Sequence, residues 1–429
     1  MTTLTECPPA RSDYRRLHCD TLIVGAGPAG MAAALAAAEV EQDILMIDDN
    51  ARPGGQIWRD GPSADLPAEA SAYRGKLSKL SHFSLLNGAK TFGIAGKNRL
   101  LFEDDNGSGE IEFQRLILCS GARELLLPFP GWTLPGVTGA GGLQALIKGG
   151  VRIDGEKVVV AGSGPLLFSV AHGVRKSGGR LSYIAEQAPW SRLLPFSLRL
   201  WRWPEKAVQA AKLFDHRFHP NSHVIEALGD DRLEAVRLRH GTREIVLPCD
   251  RLACGFGLIG NTELGQLLGC DVAAGALLVD DGQATNVEGI YAAGECTGIG
   301  GAELAIVEGA IAGYVSSGER ERAEDLFARR AHWRHFAKDL SRTFALSPVL
   351  STLATPETIL CRCEDVPISA LSGETGWNGA KLHSRCGMGA CQGKICGAAA
   401  SHIFGWAGPK PKLPISPVRI ETLLGPSVE

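Results

Sequence analysis

CDTLIVGAGPAGMAAALAAAEVEQDILMIDD, residues 19–49, decides the fold of this chain. An apolar run, Thr21–Val24, meets a glycine turn, a twelve-residue alanine-rich stretch follows, and a second apolar run ends in two acids. Strand, turn, helix and strand in that order make one βαβ unit. Gly25, Gly27 and Gly30 fit the spacing GxGxxG: the first makes the turn, the second lets backbone approach a pyrophosphate, and the third lets helix pack on strand. Asp48 lies 23 residues beyond Gly25, where an acid at the end of the second strand accepts ribose hydroxyls. Asp49 serves if the strand register shifts by one. With Pro28 and Ala29 at the helix start, the phosphates are expected at the helix N-terminus.

The same grammar returns at EKVVVAGSGPLLFSVAHGVRKSGGRLSYIAEQ, residues 156–187, with a strand over Lys157–Val160 and a helix over Pro165–Lys176. Gly162 and Gly164 hold the first two motif positions, but Leu167 stands where the third glycine belongs, so this helix is expected to stand off its strand. Ala185 occupies the ribose-acid position by count, with Glu186 next to it. Two readings remain open: a nicotinamide-nucleotide site, or a relic unit serving as scaffold or partner surface. Between the copies, RLILCSGARELLLPFPGWTLPGV supplies a strand over Arg115–Cys119, the turn Ser120-Gly121 and proline punctuation, as at a domain crossing.

After the second unit, TNVEGIYAAGE, residues 285–295, resembles the second FAD fingerprint of two-dinucleotide-fold flavoproteins, with Gly294 and Glu295 at its end in place of the usual Gly-Asp. The Glu for Asp exchange puts that contact in question. Gly55 and Gln56 follow the second strand where such proteins bring backbone toward the isoalloxazine, and Ser120 and Gly121 match their crossing turn. No cysteine pair follows that Gly-Gly turn, and Cys249 alone lies between Gly162 and Cys254, which argues against thiol exchange.

Five of the twelve cysteines crowd the C-terminal part as CRC (Cys361, Cys363) and RCGMGACQGKIC (Cys386, Cys391, Cys396). Four converging thiolates hold an iron-sulfur centre. The reading takes Cys361, Cys363, Cys391 and Cys396 as ligands, with small residues around Gln392 and Gly393 offering amides to sulfur, and keeps Cys386 in reserve. A zinc knuckle is the alternative, although its usual CxxC pairs are absent.

The bulk composition agrees with an enzyme of small molecules. Hydrophobic residues at 45% and charged ones at 21% describe an ordinary folded chain, and a net charge of -3 with mixed signs excludes a nucleic-acid binder. No apolar run reaches the roughly 18 residues of a membrane span. The first twenty residues carry Glu6, Arg11, Asp13, Arg15 and Arg16 where a signal peptide needs an apolar centre, so the cytoplasm is expected. The expected organisation is an N-terminal extension (1–19), a first nucleotide domain (20–125 and 254–318), a second Rossmann-like domain (126–253), a helical linker (319–355), a 2Fe-2S domain (356–410) and a tail (411–429).

VGAGPAGMAAALAAA, RPGGQIWR, PFPGWTLPGV, AGSGPLL, YAAGECTGIGGAELAIVEG, CRCEDV and RCGMGACQGKIC together resemble the large subunit of the bacterial amino-acid and opine dehydrogenases. That group includes the A subunit of opine oxidase, the middle subunit of hydrogen cyanide synthase, and the α subunits of D-hydroxyproline and proline dehydrogenases. The resemblance runs from about Asp20 to about Gly397. It implies an α/β, two-dinucleotide-binding-domain flavoprotein with tandem Rossmann-like units and a small C-terminal 2Fe-2S ferredoxin-like domain. It further implies a partner β subunit, similar to glycine and sarcosine oxidases, that carries FAD and oxidises a C–N bond, together with a small γ subunit in some members. FMN between subunits, FAD, ATP or NAD in the first site, and a quinone or other acceptor belong to the same expectation, as does a peripheral place at the inner membrane face. The substrate class is an opine, hydroxyproline, proline or glycine, read by the partner. No residue of this chain is expected to be catalytic.

Overall fold

The computed structural model describes residues 14–40 and 42–424. Residues 1–13 of the expected extension and 425–429 of the expected tail therefore lie outside the described residues. The first strand, β1 (Arg15–Val24), begins inside the stretch expected as an extension. α1 (Pro28–Ala37) opens on a proline, whose missing N–H is harmless in a first turn. All but one of its residues are buried, so it is a core helix, hydrophobic all round. β2 (Ile44–Asp48) is buried throughout and runs parallel to β1 with Val24 opposite Ile47.

Next come α2 (Ala68–Leu77), β3 (Phe83–Asn87), β4 (Lys90–Ile94), β5 (Arg99–Asp104) and β6 (Gly107–Leu118). The sheet order is β3-β2-β1-β6-β5-β4, parallel on the β3 side and an antiparallel meander on the β4 side. The length of β6 explains the early start of β1, because Arg15 finds a parallel partner as far back as Gly109.

The crossing runs through β7 (Ala122–Glu124) to β8 (Val137–Gly139), α3 (Ala140–Lys148), β9 (Lys157–Gly162), α4 (Leu166–Lys176) and β10 (Arg180–Glu186). The helices α5 (Trp190–Arg199) and α6 (Pro204–Leu213) form an insertion before β11 (Phe218–His219), the antiparallel β12 (Ser222–Leu228), β13 (Ala235–His240) and β14 (Arg243–Pro248), and β15 (Arg251–Gly255). The second sheet is β11-β10-β9-β15-β8, all parallel. β15 stays paired with β9 as far as Gly255 opposite Gly162, so the boundary expected at 253–254 falls inside a strand and moves past Gly255.

β16 (Leu258–Gly260) pairs back onto β7, α7 (Glu263–Leu267) follows, and the short hairpin β17 (Val272–Ala273) and β18 (Ala276–Leu277) precedes β19 (Ile290–Ala292). β19 rejoins the first sheet beside β6, and α8 (Ala302–Ser316) lies along α1. α9 (Arg320–Glu324) and α10 (Phe327–Thr343) then lead to the C-terminal unit. That unit holds β20 (Ile359–Cys361), β21 (Val366–Pro367), α11 (Trp377–Ser384) and α12 (Cys396–Phe404) around a small core of Leu360, Val366, Leu371, Trp377 and Ala399 with three buried cysteines. It sits on the crossing segment, where the Trp132 indole donates to the Ile359 carbonyl at 2.6 Å and Arg362 lies over the Trp132 ring.

Candidate functional site

At the carboxyl ends of β1 and β2 a cavity of about 300 Å³ opens, where an α/β sheet receives its ligand. Gly25, Gly27, Pro28, Ala29, Asp48, Asp49, Gly55, Gln56, Ser120, Gly121 and Glu295 all line it. Gly30 and Gly294 pack behind the wall. A Cβ on Gly30 would stand 1.9 Å from the Gly25 carbonyl oxygen, so glycine there lets α1 meet its own turn. Gly27 caps α1 with no side chain bonded to the helix start, which leaves first-turn amides free toward the cavity.

Asp48 is buried, and its carboxylate accepts from Ala26 N at 2.6 Å, Asn50 N at 2.8 Å and the Asn50 amide at 2.7 Å. Three donors leave about one of a carboxylate's roughly four acceptor positions for a ribose hydroxyl. Asp49 is exposed at the lip and bonded to the Asn50 amide. Arg74 donates to the Pro53 and Trp58 carbonyls and pairs with Asp60, which holds the Gly54-Gly55-Gln56 turn over the glycine loop. On the far wall burial pushes the Glu295 carboxyl up. Behind it the buried Glu308 accepts from Thr297 Oγ1 at 3.1 Å, Gly294 N at 3.3 Å and Arg334 at 3.0 Å, and so braces the Gly294-Glu295 turn. An uncapped helix start that donates, an acid at the ribose position that accepts, and two glycine turns facing each other suit an FAD.

Sequence reasoning missed part of this wall: Lys90, Thr91, Asn261, Glu263, Lys394, Ile415 and Ser416. Asn261 and Ser120 bind each other's carbonyls at 2.9 and 2.6 Å, which locks the crossing turn. Arg123 joins Glu263 at 2.9 Å, Asn261 at 2.8 Å and the Lys394 carbonyl at 3.2 Å. Lys394 stands between two cysteines, donates from Nζ to the Ile415 carbonyl at 2.8 Å, and lines the cavity. Its neighbour in the tail, Ile415, donates its N–H to the Phe92 carbonyl on β4. The only signal was a cation inside a cysteine motif, and no spacing rule connects Lys394 to a glycine loop that begins at Gly25.

The cysteines fall into two groups. Cys361, Cys386 and Cys396 are buried with their sulfurs within 4.8 Å of one another. Cys363, exposed, accepts from the Cys391 backbone N–H and its thiol donates to the Cys391 sulfur. The Cys386 and Cys396 thiols donate to Cys361, which holds its thiol far below the usual range, and Gly387 N adds a bond to the same sulfur. Cys396 is the first residue of α12, and its neighbours Cys361 and Cys386 push its thiol well above the usual range. Cys386, held in reserve by the sequence, thus shares a group with two of the four expected ligands, and Cys391 pairs with the third. Soft thiolates so gathered suit iron-sulfur or zinc.

The second glycine loop is built differently. A register shift between Leu181 and Tyr183 absorbs one residue of β10, so Glu186 stands opposite Gly162, just as Asp48 follows Ile47 at the Gly25 turn. The acid that counting placed one position off is therefore in line. It is fully buried, however, and its oxygens are taken by Gly164 N at 2.7 Å and Ala188 N at 2.8 Å. Burial raises its pKa to about 7. Leu167, in the first turn of α4, is fully buried; α4 starts at Leu166, four residues past Gly162, where α1 starts three past Gly25.

Two Rossmann-type units in tandem, with a dinucleotide cavity at the first and a return strand feeding it, define an FAD-type flavoprotein oxidoreductase. The chain belongs to the pyridine nucleotide-disulphide oxidoreductase family, whose profile matches residues 19–312. Among its relatives, the HcnB subunit of hydrogen cyanide synthase from Pseudomonas aeruginosa is 31% identical, over 92% of this chain and 96% of that protein. The A subunit of opine oxidase from Rhizobium meliloti is 32% identical, over 90% of this chain and 92% of that one. In fold, the L-proline dehydrogenase of P. horikoshii superposes with a TM-score of 0.67 at 18% identity, covering 96% of this chain and 80% of that one. The thioredoxin reductase of T. acidophilum reaches 0.54 at 19% identity over 73% of this chain and 99% of its own. Among the described residues no helix is long and apolar enough to cross a membrane.

Proposed function

We propose that this chain is the electron-transferring large subunit of a heteromeric amino-acid or opine dehydrogenase, whose partner subunit oxidises the C–N bond. The observation that carries the reading is the shared wall: Lys394, from between Cys391 and Cys396, lines the same cavity as Gly25, Gly27 and Asp48. Gly25, Gly27, Ala29, Asp48, Gly55, Gln56, Ser120 and Glu295 would hold FAD, while Cys361, Cys363, Cys391 and Cys396 would hold a 2Fe-2S cluster. Bound there, FAD supplies a carrier of one or two electrons and the cluster a carrier of one, so a pair is passed on singly. Cys396 is preferred to Cys386 because it heads α12.

This chain's own residues do the positioning. Arg123 ties the crossing turn at the cavity to the cysteine loop, and Asn261 fixes that turn. The relatives named as oxidase and synthase subunits support a heteromer, and the match to the alpha subunit of sarcosine oxidase from Rhizobium meliloti, 24% identical over 59% of this chain, supports an amine-oxidising partner. The acceptor in this reading is a quinone or another carrier, with FMN at the subunit interface.

The chain is to be co-expressed with a glycine-oxidase-like partner and reduced anaerobically with opines, D-hydroxyproline, proline and glycine, following flavin and cluster absorbance. Reduction only with partner and substrate together is expected. Bleaching of the isolated chain by NADH would overturn the reading.

A further inference from the structure

We infer that the second glycine loop is a socket for the chain's own linker, so that Phe344–Ser347 stands where a nicotinamide nucleotide would be received; this rests on, and deepens, the partner-dependent reading above. In a working dinucleotide unit, the turn after the first strand offers amides to the pyrophosphate and the acid of the second strand meets the ribose. Here Ser163, between the two glycines, and Gln187, beside the acid, face protein, while Gly164 has nothing within 4 Å of an added Cβ. Ser163 Oγ, between Gly162 and Gly164, donates to the Phe344 carbonyl at 2.9 Å. Gln187, next to the ribose acid, donates to Ser163 Oγ at 2.9 Å and to the Ala345 carbonyl at 3.2 Å, and its own carbonyl accepts from Ser347 N at 3.0 Å. Arg192 of α5 donates to the same Ala345 carbonyl at 2.7 Å.

The apolar side agrees. Leu346, Val349, Leu350 and Leu353 pack into the core that holds Val159 and Ala161 of β9 and Ala185 of β10. Asp48 lines the first cavity, whereas Glu186 is wholly buried, so no ribose hydroxyl reaches it in this fold. Leu167 fills the place where a third glycine would bring the helix N-terminus close to phosphate.

The linker leaves α10 on one side of this socket and enters the cysteine unit on the other. Fastened there, it fixes the cysteine unit against the crossing segment and the first cavity. The second nucleotide fold therefore works as a positioning element, and electrons enter at the first cavity alone.

Hydrogen exchange on the full-length, FAD-loaded chain tests this, followed on peptides covering 161–168 and 343–353, with and without about 1 mM NADH, a concentration that fills any site of micromolar Kd. Both peptides are expected to be protected and unmoved by NADH. In Gln187→Ala, exchange in 343–353 is expected to rise about tenfold, because the local opening of that segment becomes easier. Slowed exchange at 161–168 with faster exchange at 343–353 when NADH is added would overturn the socket, whether or not the flavin is reduced. Unmoved peptides support it even if NADH bleaches the flavin, an outcome that sinks the partner-dependent reading alone. Unchanged exchange in Gln187→Ala would also count against the socket.

Discussion

Replacing Gly309 by alanine tests how closely the cavity depends on a helix crossing that no ligand touches. Gly309 and Gly313 of α8 face the backbone of α1: a Cβ at 309 would lie 2.1 Å from the Ala29 carbonyl oxygen, and one at 313 would lie 2.3 Å from that of Ala33. Ordinary carbon-oxygen contact begins at about 3.3 Å, so Gly309→Ala asks the helices to part by about 1 Å at this point. Neither contact can yield by rotating a side chain, since both oxygens belong to the backbone. Overpacking of this kind costs about 1–3 kcal/mol, which lowers Tm by about 1–3 °C in a chain of this size. Ala29 is also a cavity residue at the start of α1, so the same shift weakens the phosphate contacts of the first turn and raises the FAD dissociation constant about tenfold, the equivalent of about one charged hydrogen bond. Differential scanning calorimetry and flavin fluorescence titration read the two effects. Gly75→Ala is the control: it lies exposed inside α2 with nothing within 4 Å of the added Cβ, and should stabilise by about 0.5–1 kcal/mol. A Gly309→Ala protein with wild-type Tm and wild-type flavin affinity would refute the reasoning.

Other perturbations read the remaining parts. Iron and acid-labile sulfide should be retained in Cys386→Ser and lost in Cys391→Ser and Cys396→Ser; loss in Cys386→Ser with retention in Cys396→Ser would reverse the ligand assignment. Lys394→Met removes the tie to the Ile415 carbonyl and a cavity cation, and is expected to weaken FAD about tenfold, or about 1.5 kcal/mol, without loss of iron. Glu186 holds its proton more tightly folded than unfolded, with a pKa of about 7 against 4.5, so its contribution to stability falls as pH rises from about 4.5 to about 7 and is level above that. The drop amounts to about 3 kcal/mol at most, and thermal denaturation between pH 5 and 8 should show a correspondingly flatter profile in Glu186→Gln. An unchanged slope would remove Glu186 as its source.

Much of the first site could be read directly, because its parts are local. Gly25, Gly27 and Asp48 belong to one βαβ unit, whose turn and strand period place them together whatever the rest of the chain does. Glu186 escaped the same count by one residue because strand register is settled by the neighbouring strand, and the irregularity between Leu181 and Tyr183 leaves no mark in the pattern. Cys386 shows the converse: five thiols announced a metal site, yet their division into Cys361, Cys386 and Cys396 against Cys363 and Cys391 depends on how the loops before α11 and α12 fold back.

The sequence by itself determined two Rossmann-like units, an acid and a set of glycines at the first, and a cysteine cluster at the far end, since each is written in residues close together in the chain. Only the tertiary structure decided that the cysteine loop and the tail complete the first cavity through Lys394 and Ile415, and that the linker at Phe344–Ser347 is hydrogen-bonded to Ser163 and Gln187 at the second glycine loop. Both are contacts between segments more than a hundred residues apart, made by single side chains and carbonyls. They carry no periodicity, and they exist only once the two sheets have fixed where the chain must pass.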